Sequence, residues 1–295
     1  MKKGFLLVTF LLFSIVFYAQ HYTKEKIEIP FKLSPNGYIM IKASVNGIPG
    51  NFVFDTGAGM NLLTKDFADK IDNLEKTTHF YTGHRATGEA ITSDLYHSEV
   101  LDIGDFSIEN EQFAVYDIDF PLDGLISLTA FQQKAFTINF AEKNLVIESE
   151  KSLQQRKANM DFEMPLEINN DRNIKVSIGT MVKIDSLELH VGLDSGAGFD
   201  VYRFNSRYME ALGIDSTKVD SKFIPSSFKP EEGNQYYFAE VSKLSDPKMN
   251  TERTNFGATF IDGLIYEGIM GINWIGHVLT FDMPSEKIIV KNVDY

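Results

Sequence analysis

The sequence predicts an all-β protein with two similar lobes and a few short helices, and three observations carry this prediction. Short stretches rich in Val, Ile, Phe and Tyr alternate with polar residues and are broken by Gly, Asn and Asp, as strands joined by turns are. The pattern Asp-(Thr/Ser)-Gly-Ala-Gly occurs at Asp55–Gly59 and again at Asp194–Gly198, each time after apolar residues. The segments around the two copies keep the same order, which indicates an internal duplication.

The elements of each half can be justified in chain order. The halves open with similar stretches, Glu28–Phe31 and Glu163–Leu166, and Asn46-Gly47 is a hairpin signal in the strands that follow. After each motif we expect a short amphipathic helix, the first capped by Thr64 and the second ending at Gly213. Each half closes with an alternating segment that predicts a hairpin.

The N-terminus predicts a signal peptide over residues 1–20. Lys2 and Lys3 precede an apolar run, Phe5–Tyr18, and the small residue Ala19 follows. We therefore expect export to the periplasm or the medium, with an uncleaved anchor as the alternative. An N-terminal β lobe over residues 21–150 and a C-terminal β lobe over residues 151–295 are expected, joined by the polar stretch Ser149–Asp161.

Composition excludes several function classes. The chain of 295 residues has a formal charge of −13, which disfavours nucleic acid as a partner. It contains no Cys, so disulfides and thiol catalysis are excluded, and its six His residues form no metal-ligand pattern. Gly57-Ala58-Gly59 resembles a dinucleotide fingerprint, but Leu62 replaces the third Gly. We expect no metal, no cofactor, no stable membrane insertion after signal removal, and a monomer.

The two aspartates carry the chemistry that the repeat predicts. Asp55 and Asp194 each follow a buried strand, and a pseudo-two-fold axis between the halves would place them side by side. Adjacent carboxyl groups cannot both ionise easily, so they share one proton. The charged group can then activate a water while the protonated group polarises a carbonyl. This pattern predicts hydrolysis of peptide bonds without a metal.

These motifs resemble the active-site loops of pepsin-like aspartic proteases, and the Ala after Asp-Thr-Gly is closer to retropepsins and exported bacterial aspartyl proteases. The resemblance implies a bilobal acid protease fold, a peptide or protein substrate, and Asp55 and Asp194 as catalytic residues. It also implies that Thr56 and Ser195 brace the two loops through hydroxyl hydrogen bonds, with Gly57 and Gly196 beside them.

Other elements of the family pattern are weaker. Ile269–Gly271 matches the apolar-apolar-Gly element that supports one loop, whereas Ser127 replaces that Gly in the first half, where it either crowds the loop or is tolerated. Tyr81 and Gly83 lie where a flap hairpin would fall, and an ordinary surface hairpin is the alternative.

A non-catalytic peptide-binding module of the same fold is the competing function. The replacement at Ser127 favours this alternative, and the two intact Asp-(Thr/Ser)-Gly motifs oppose it.

Overall fold

The computed structural model of the chain describes residues 25–226, 229 and 231–293. The predicted signal peptide, residues 1–20, lies outside the described residues. The described chain is mostly β-strand with a few short helices, which confirms the predicted all-β class. None of the helices in this part of the chain has the length and apolar character of a membrane span.

The first half of the chain supplies most of its strands to one large sheet. The strands are β1 (Ile27–Pro30), β2 (Lys32–Leu33), β3 (Ile39–Val45), β4 (Ile48–Phe54), β5 (Asn61–Thr64), β6 (Glu75–His84), β7 (Ala90–His97), β8 (Val100–Ile103), β9 (Phe106–Glu109), β10 (Gln112–Tyr116), β11 (Gly124–Ile126), β12 (Ala135–Asn139) and β13 (Asn144–Ile147). Strands β2 to β11 form a sheet in the order β6-β7-β10-β5-β11-β4-β3-β8-β9, with β2 on β3.

The second half forms a corresponding sheet. Its strands are β14 (Phe162–Pro165), β15 (Glu167–Asp171), β16 (Lys175–Ile184), β17 (Leu187–Leu193), β18 (Tyr202–Asn205), β19 (Asp220–Pro225), β20 (Gly233–Ser245), β21 (Glu252–Ile261), β22 (Gly268–Met270), β23 (Val278–Asp282) and β24 (Lys287–Lys291). Strands β15 to β22 form a sheet in the order β15-β16-β17-β22-β18-β21-β20-β19.

A third sheet joins the two halves. Its order is β1-β13-β12-β23-β24-β14, so the closing hairpins of the two halves lie side by side at its centre and their opening strands form its edges. Phe136 of β12 and Phe281 of β23 stack with ring centroids 5.0 Å apart. Phe54, which precedes Asp55, packs edge-on against Phe136 at 5.8 Å. The core beneath the first motif is therefore continuous with the sheet shared by both halves.

Local sequence signals account for several turns and caps. Asn46 and Gly47 have φ angles of 49° and 79° and connect β3 to β4 in a two-residue hairpin, as predicted. Helix α1 (Lys65–Ala68) begins after Thr64, whose hydroxyl accepts a hydrogen bond from the Phe67 amide. Both predictions are confirmed.

One helical segment differs from the prediction, and another was not predicted. The second helix after a motif is a pair of 3₁₀ turns, Ser206–Tyr208 and Glu210–Leu212, which end at Gly213 with a left-handed φ of 72°. The polar connector contains helix α2 (Glu150–Ala158), which Ser149 caps in a reciprocal capping box. The remaining 3₁₀ turns are Leu128–Phe131, Ser195–Ala197 and Met283–Ser285.

Candidate active site

Each motif begins where a buried strand meets a short parallel partner. Strand β4 pairs in parallel with β11 and leads into Asp55, whose amide donates to the Ile126 carbonyl at 2.9 Å. Strand β17 pairs in parallel with β22 and leads into Asp194, whose amide donates to the Met270 carbonyl at 2.9 Å. The same local geometry therefore presents both aspartates from the two large sheets.

Reciprocal hydrogen bonds between Thr56 and Ser195 join the two loops. The Thr56 amide donates to Ser195 Oγ at 3.0 Å, and the Ser195 amide donates to Thr56 Oγ1 at 2.9 Å. Each hydroxyl also donates to a carbonyl of the opposite half, Thr56 to Leu193 and Ser195 to Phe54, both at 2.8 Å. Both side chains are buried. The brace therefore runs between hydroxyls and backbone groups, whereas the sequence-based expectation named only the hydroxyls.

Glycine allows each loop to contact the opposite carboxyl group. An ideal Cβ on Gly57 would lie well inside 3.0 Å of the Asp194 side chain, and one on Gly196 would collide with Asp55 in the same way. Since real Cβ atoms essentially never approach so closely, any larger residue at either position must displace a carboxyl group. Gly57 and Gly196 are thus needed for close approach of the aspartates.

The two carboxyl groups form one hydrogen-bonded unit. Their side chains hydrogen bond to each other, and the amides of Gly57 and Ala58 donate to Asp55 Oδ1 at 2.9 and 3.0 Å. Asp55 and Asp194 are each partly exposed, and both line the cleft. Burial raises the pKa of Asp55, against the opposing effect of these hydrogen bonds. Burial and then the Asp55 charge hold the pKa of Asp194 well above its ordinary range. The pair therefore favours a singly protonated state, and the larger rise in pKa is at Asp194.

Ser127 does not crowd the first loop. Its amide donates to Asn61 Oδ1 at 2.8 Å, and its hydroxyl lies 3.0 Å from that of Thr129. Asn61 and Thr129 both donate to Glu111 Oε1, at 2.7 and 2.6 Å. The whole group is buried, and burial raises the pKa of Glu111. In the second half, by contrast, a Cβ on Gly271 would collide with a backbone carbonyl. Ser is therefore tolerated at one position but not at the other.

Tyr81 and Gly83 lie on a hairpin that crosses the cleft. Strands β6 and β7 pair antiparallel, which confirms the hairpin, and both residues line the cavity beside the aspartates. Tyr81 Oη donates to Asp171 Oδ2 of the second half at 3.3 Å. Burial and the Asp171 charge raise the pKa of Tyr81. The hairpin therefore reaches from one half to the other above the site.

The tip of this hairpin contacts the second half directly. The Ala86 carbonyl accepts a hydrogen bond from the Ile265 amide at 3.0 Å, and the Thr87 carbonyl accepts one from Asn234 Nδ2 at 3.2 Å. The buried Glu89 carboxylate accepts hydrogen bonds from Ser226 of the second half and from Thr87. The hairpin therefore contacts the second half both along strand β6 and at its tip.

A cavity of about 420 Å³ lies between this hairpin and the aspartates. That volume is within the range of small-ligand sites. Sequence reasoning predicted Asp55, Asp194, Tyr81 and Gly83 among its lining residues. It missed several others: Arg85, Tyr116, Lys175, Arg203 and Tyr266. Burial and the charge of Asp194 raise the pKa of Tyr266, which precedes β22 by two residues. The sequence spacing does not align Arg203 with its counterpart Leu62, so only the strand pairing of the structure indicates it.

Comparison with known proteins finds a family model that matches part of the chain. Residues 41–130 match a family model described as aspartyl protease. The match runs from β3 to the 3₁₀ turn after β11, so it contains Asp55 but not Asp194. A search of curated proteins finds no match. Across the described residues, no three acidic or histidine side chains are grouped to hold a metal ion. The chain thus has an all-β fold consistent with aspartic proteases, and the matched segment supports an aspartic peptidase activity.

Proposed function

We propose that this protein is an aspartic endopeptidase that hydrolyses peptide or protein substrates between Asp55 and Asp194. One observation carries the proposal: two partly buried carboxyl groups from opposite halves hydrogen bond to each other at the floor of a cleft. Both pKa values are raised, and perturbed carboxyl pairs in clefts are typical of catalytic sites. The match to an aspartyl protease model supports the same conclusion.

The first chemical step uses both protonation states. Ionised Asp55 takes a proton from a water held between the carboxyl groups, and the water oxygen attacks the peptide carbonyl carbon. Asp194, whose raised pKa keeps it protonated, donates its proton to the carbonyl oxygen. The product is a neutral tetrahedral diol, and the proton has moved from one carboxyl group to the other.

The second step breaks the carbon–nitrogen bond. Asp55 now holds a proton and delivers it to the leaving nitrogen, while Asp194 takes a proton back from a diol hydroxyl. The products are a carboxylic acid and an amine, and the pair returns to its starting state. Tyr81 would act as the flap side chain that covers the substrate, with Gly83 allowing the hairpin to approach it.

The cellular setting is part of the proposal. The N-terminal segment supports export to the periplasm or the medium, and sequencing the mature N-terminus would distinguish cleavage from a retained anchor. Since one chain supplies both aspartates, a monomer is sufficient for the site. We also propose an N-terminal lobe over residues 21–150 and a C-terminal lobe over residues 151–295, because strands β2–β11 and β15–β22 form separate sheets.

Purified mature protein should be incubated with a diverse peptide library from strongly acidic to mildly alkaline pH, with products identified by mass spectrometry. Asp55→Asn and Asp194→Asn should each lower kcat by about 10²–10⁴-fold or more, since each step needs both groups. Asp220→Asn, at an exposed position on β19, is the matched control. Activity should persist in EDTA because the proposed reaction uses no metal.

The same experiment distinguishes the enzyme from a binding module. The pH profile of kcat/KM should form a bell, because the singly protonated pair is the competent state. Binding of a non-cleavable transition-state mimic is measured in parallel. Tight binding of peptides without cleavage at any pH would refute the enzyme and favour the non-catalytic module.

A further inference from the structure

One wall of the catalytic cavity carries a cation that the proposed mechanism does not use. Arg203 is the second residue of β18, and its neighbours Tyr202 and Phe204 are buried in the core. Because side chains alternate along a strand, Arg203 lies on the opposite face, where it lines the cavity beside the aspartates. The side chain is partly buried.

The equivalent position in the first half carries leucine. Arg203 pairs with Ile269 of β22, the strand that supports the Asp194 loop. Leu62 pairs in the same antiparallel way with Leu125 of β11, the strand that supports the Asp55 loop. Leu62 also lines the cavity. The two strand registers therefore make Leu62 and Arg203 pseudo-symmetric equivalents, one apolar and one cationic, on either side of the aspartates.

Within the described residues the Arg203 side chain makes no hydrogen bond and no close ion pair, and its charge acts on Asp194 only from a distance. Other arginines of the chain do pair: Arg253 lies 2.6 Å from Asp200, and Arg156 lies 3.0 Å from Glu148. Lys175 lines the same cavity and is likewise without a partner in the described part of the chain. Its side chain packs over Gly59 of the first loop. Apart from the catalytic pair, no carboxylate among the described residues lines this cavity.

The charge of Arg203 lowers the pKa of Asp194, but the catalytic pair balances only one of these two cations. The pair carries at most one negative charge when singly protonated, and it lies among its own hydrogen-bond donors. No ion pair joins Arg203 to Asp194 within the described residues. The chain as a whole has 41 acidic and 28 basic residues, so a cavity wall that carries both Arg203 and Lys175 is a local departure from its acidic character.

We propose that Arg203, assisted by Lys175, binds a carboxylate of the substrate next to the scissile bond, while Leu62 contacts an apolar residue on the other side. This inference rests on the proposed function. The two halves are related by a pseudo-two-fold axis that passes between the aspartates. The two substrate residues on either side of the scissile bond therefore contact equivalent positions of the two halves. Guanidinium and carboxylate groups match in charge and geometry, and a partly buried pair is screened less than an exposed one.

The test uses peptides that differ only in this carboxylate. Two peptides have an amidated C-terminus and carry either Glu or Gln next to the cleaved bond. A third peptide carries Gln at the same position as its last residue, with a free C-terminal carboxylate. At pH 6, where a free Glu side chain is ionised, kcat/KM should be about tenfold or more higher for a carboxylate peptide than for amidated Gln. A preference for amidated Glu identifies a side-chain carboxylate. A preference for the free terminus identifies the α-carboxylate.

Variants assign the preference to the proposed residue. Arg203→Leu should bring the Glu to Gln ratio close to one while the amidated Gln peptide is still cleaved, and Arg203→Lys should retain part of the preference. Arg207→Leu removes an exposed arginine outside this cavity and should leave the ratio unchanged. The ratio within each variant cancels any effect on the catalytic pair itself.

Binding measurements keep this proposal separate from the enzymatic one. Reduced-amide versions of the Glu and Gln peptides cannot be cleaved, and calorimetry gives their affinities for the wild-type chain. A preference for Glu in affinity without any turnover would support carboxylate recognition and refute the peptidase. Equal affinities for Glu and Gln, together with equal kcat/KM for all three peptides, would overturn carboxylate recognition while leaving the peptidase intact.

Discussion

Replacing Asp194 by Asn should make the folded protein more stable at neutral pH. Burial and the Asp55 charge hold the pKa of the Asp194 carboxyl well above its ordinary range. In the unfolded chain the same group titrates near its ordinary value, about 3.9. Between these two values, the native state holds a proton that the unfolded state has released. The free energy of unfolding therefore falls as pH rises through this window.

The magnitude follows from that linkage. Below about pH 4 the carboxyl is protonated in both states, and it adds no pH dependence. Above that value the wild type loses up to about 1.4 kcal/mol per pH unit until the folded pKa is reached. Asn does not titrate, so Asp194→Asn lacks this loss, and its advantage should grow with pH. Each 1 kcal/mol corresponds to roughly 2–4 °C in Tm for a chain of this size.

The assay is urea and thermal unfolding of both proteins at intervals from pH 3.5 to 7.5. Asp220→Asn, at an exposed position, is the control and should follow the wild type within about 0.5 kcal/mol throughout. A gap between Asp194→Asn and wild type that stayed constant across this range would refute the reasoning. So would a gap that reversed in favour of the wild type as pH rises.

Two further changes test the site and the shared sheet. Gly57→Ala should lower kcat by about 100-fold or more, because its Cβ displaces the Asp194 carboxyl. The control Gly257→Ala should retain activity, since nothing lies within 4 Å of a Cβ at that position. Equal kinetics in the two variants would contradict the predicted collision. Arg156→Met should destabilise the fold by about 3–5 kcal/mol in urea unfolding, because the fully buried Glu148 carboxylate loses its cation. Adding Glu148→Gln should recover part of that loss, and no recovery would show that Arg156 acts through packing instead.

Strong local signals account for what the sequence predicted correctly. The paired Asp-(Thr/Ser)-Gly motifs, the Asn46-Gly47 turn and the Thr64 cap each require a specific residue for a specific backbone geometry, so a single sequence is sufficient. The all-β class follows from strand alternation repeated along most of the chain. The hairpin that carries Tyr81 also followed from its position after the first motif.

Features that depend on tertiary contacts were not predictable. Helix α2 has no apolar stripe; it is stabilised by its capping box and by Arg156 and Lys157, which pair with the buried carboxylates Glu148 and Asp282. Arg203 was not predicted as a site residue because it lies nine residues after Asp194, whereas its equivalent Leu62 lies seven residues after Asp55. Only the strand pairing aligns the two.

The position of the catalytic pair is fixed through the core as well as through the two motif loops. The hydrogen bonds of Thr56 and Ser195 hold the two loops together directly, and a second restraint lies in the core. The pairing of β12 with β23 supplies that restraint along five residue pairs. Phe54 connects the Asp55 loop to this pairing, because its ring packs on Phe136, which stacks on Phe281. The residue next to Asp55 is thereby fixed to the opposite half through contacts that do not involve the hairpin.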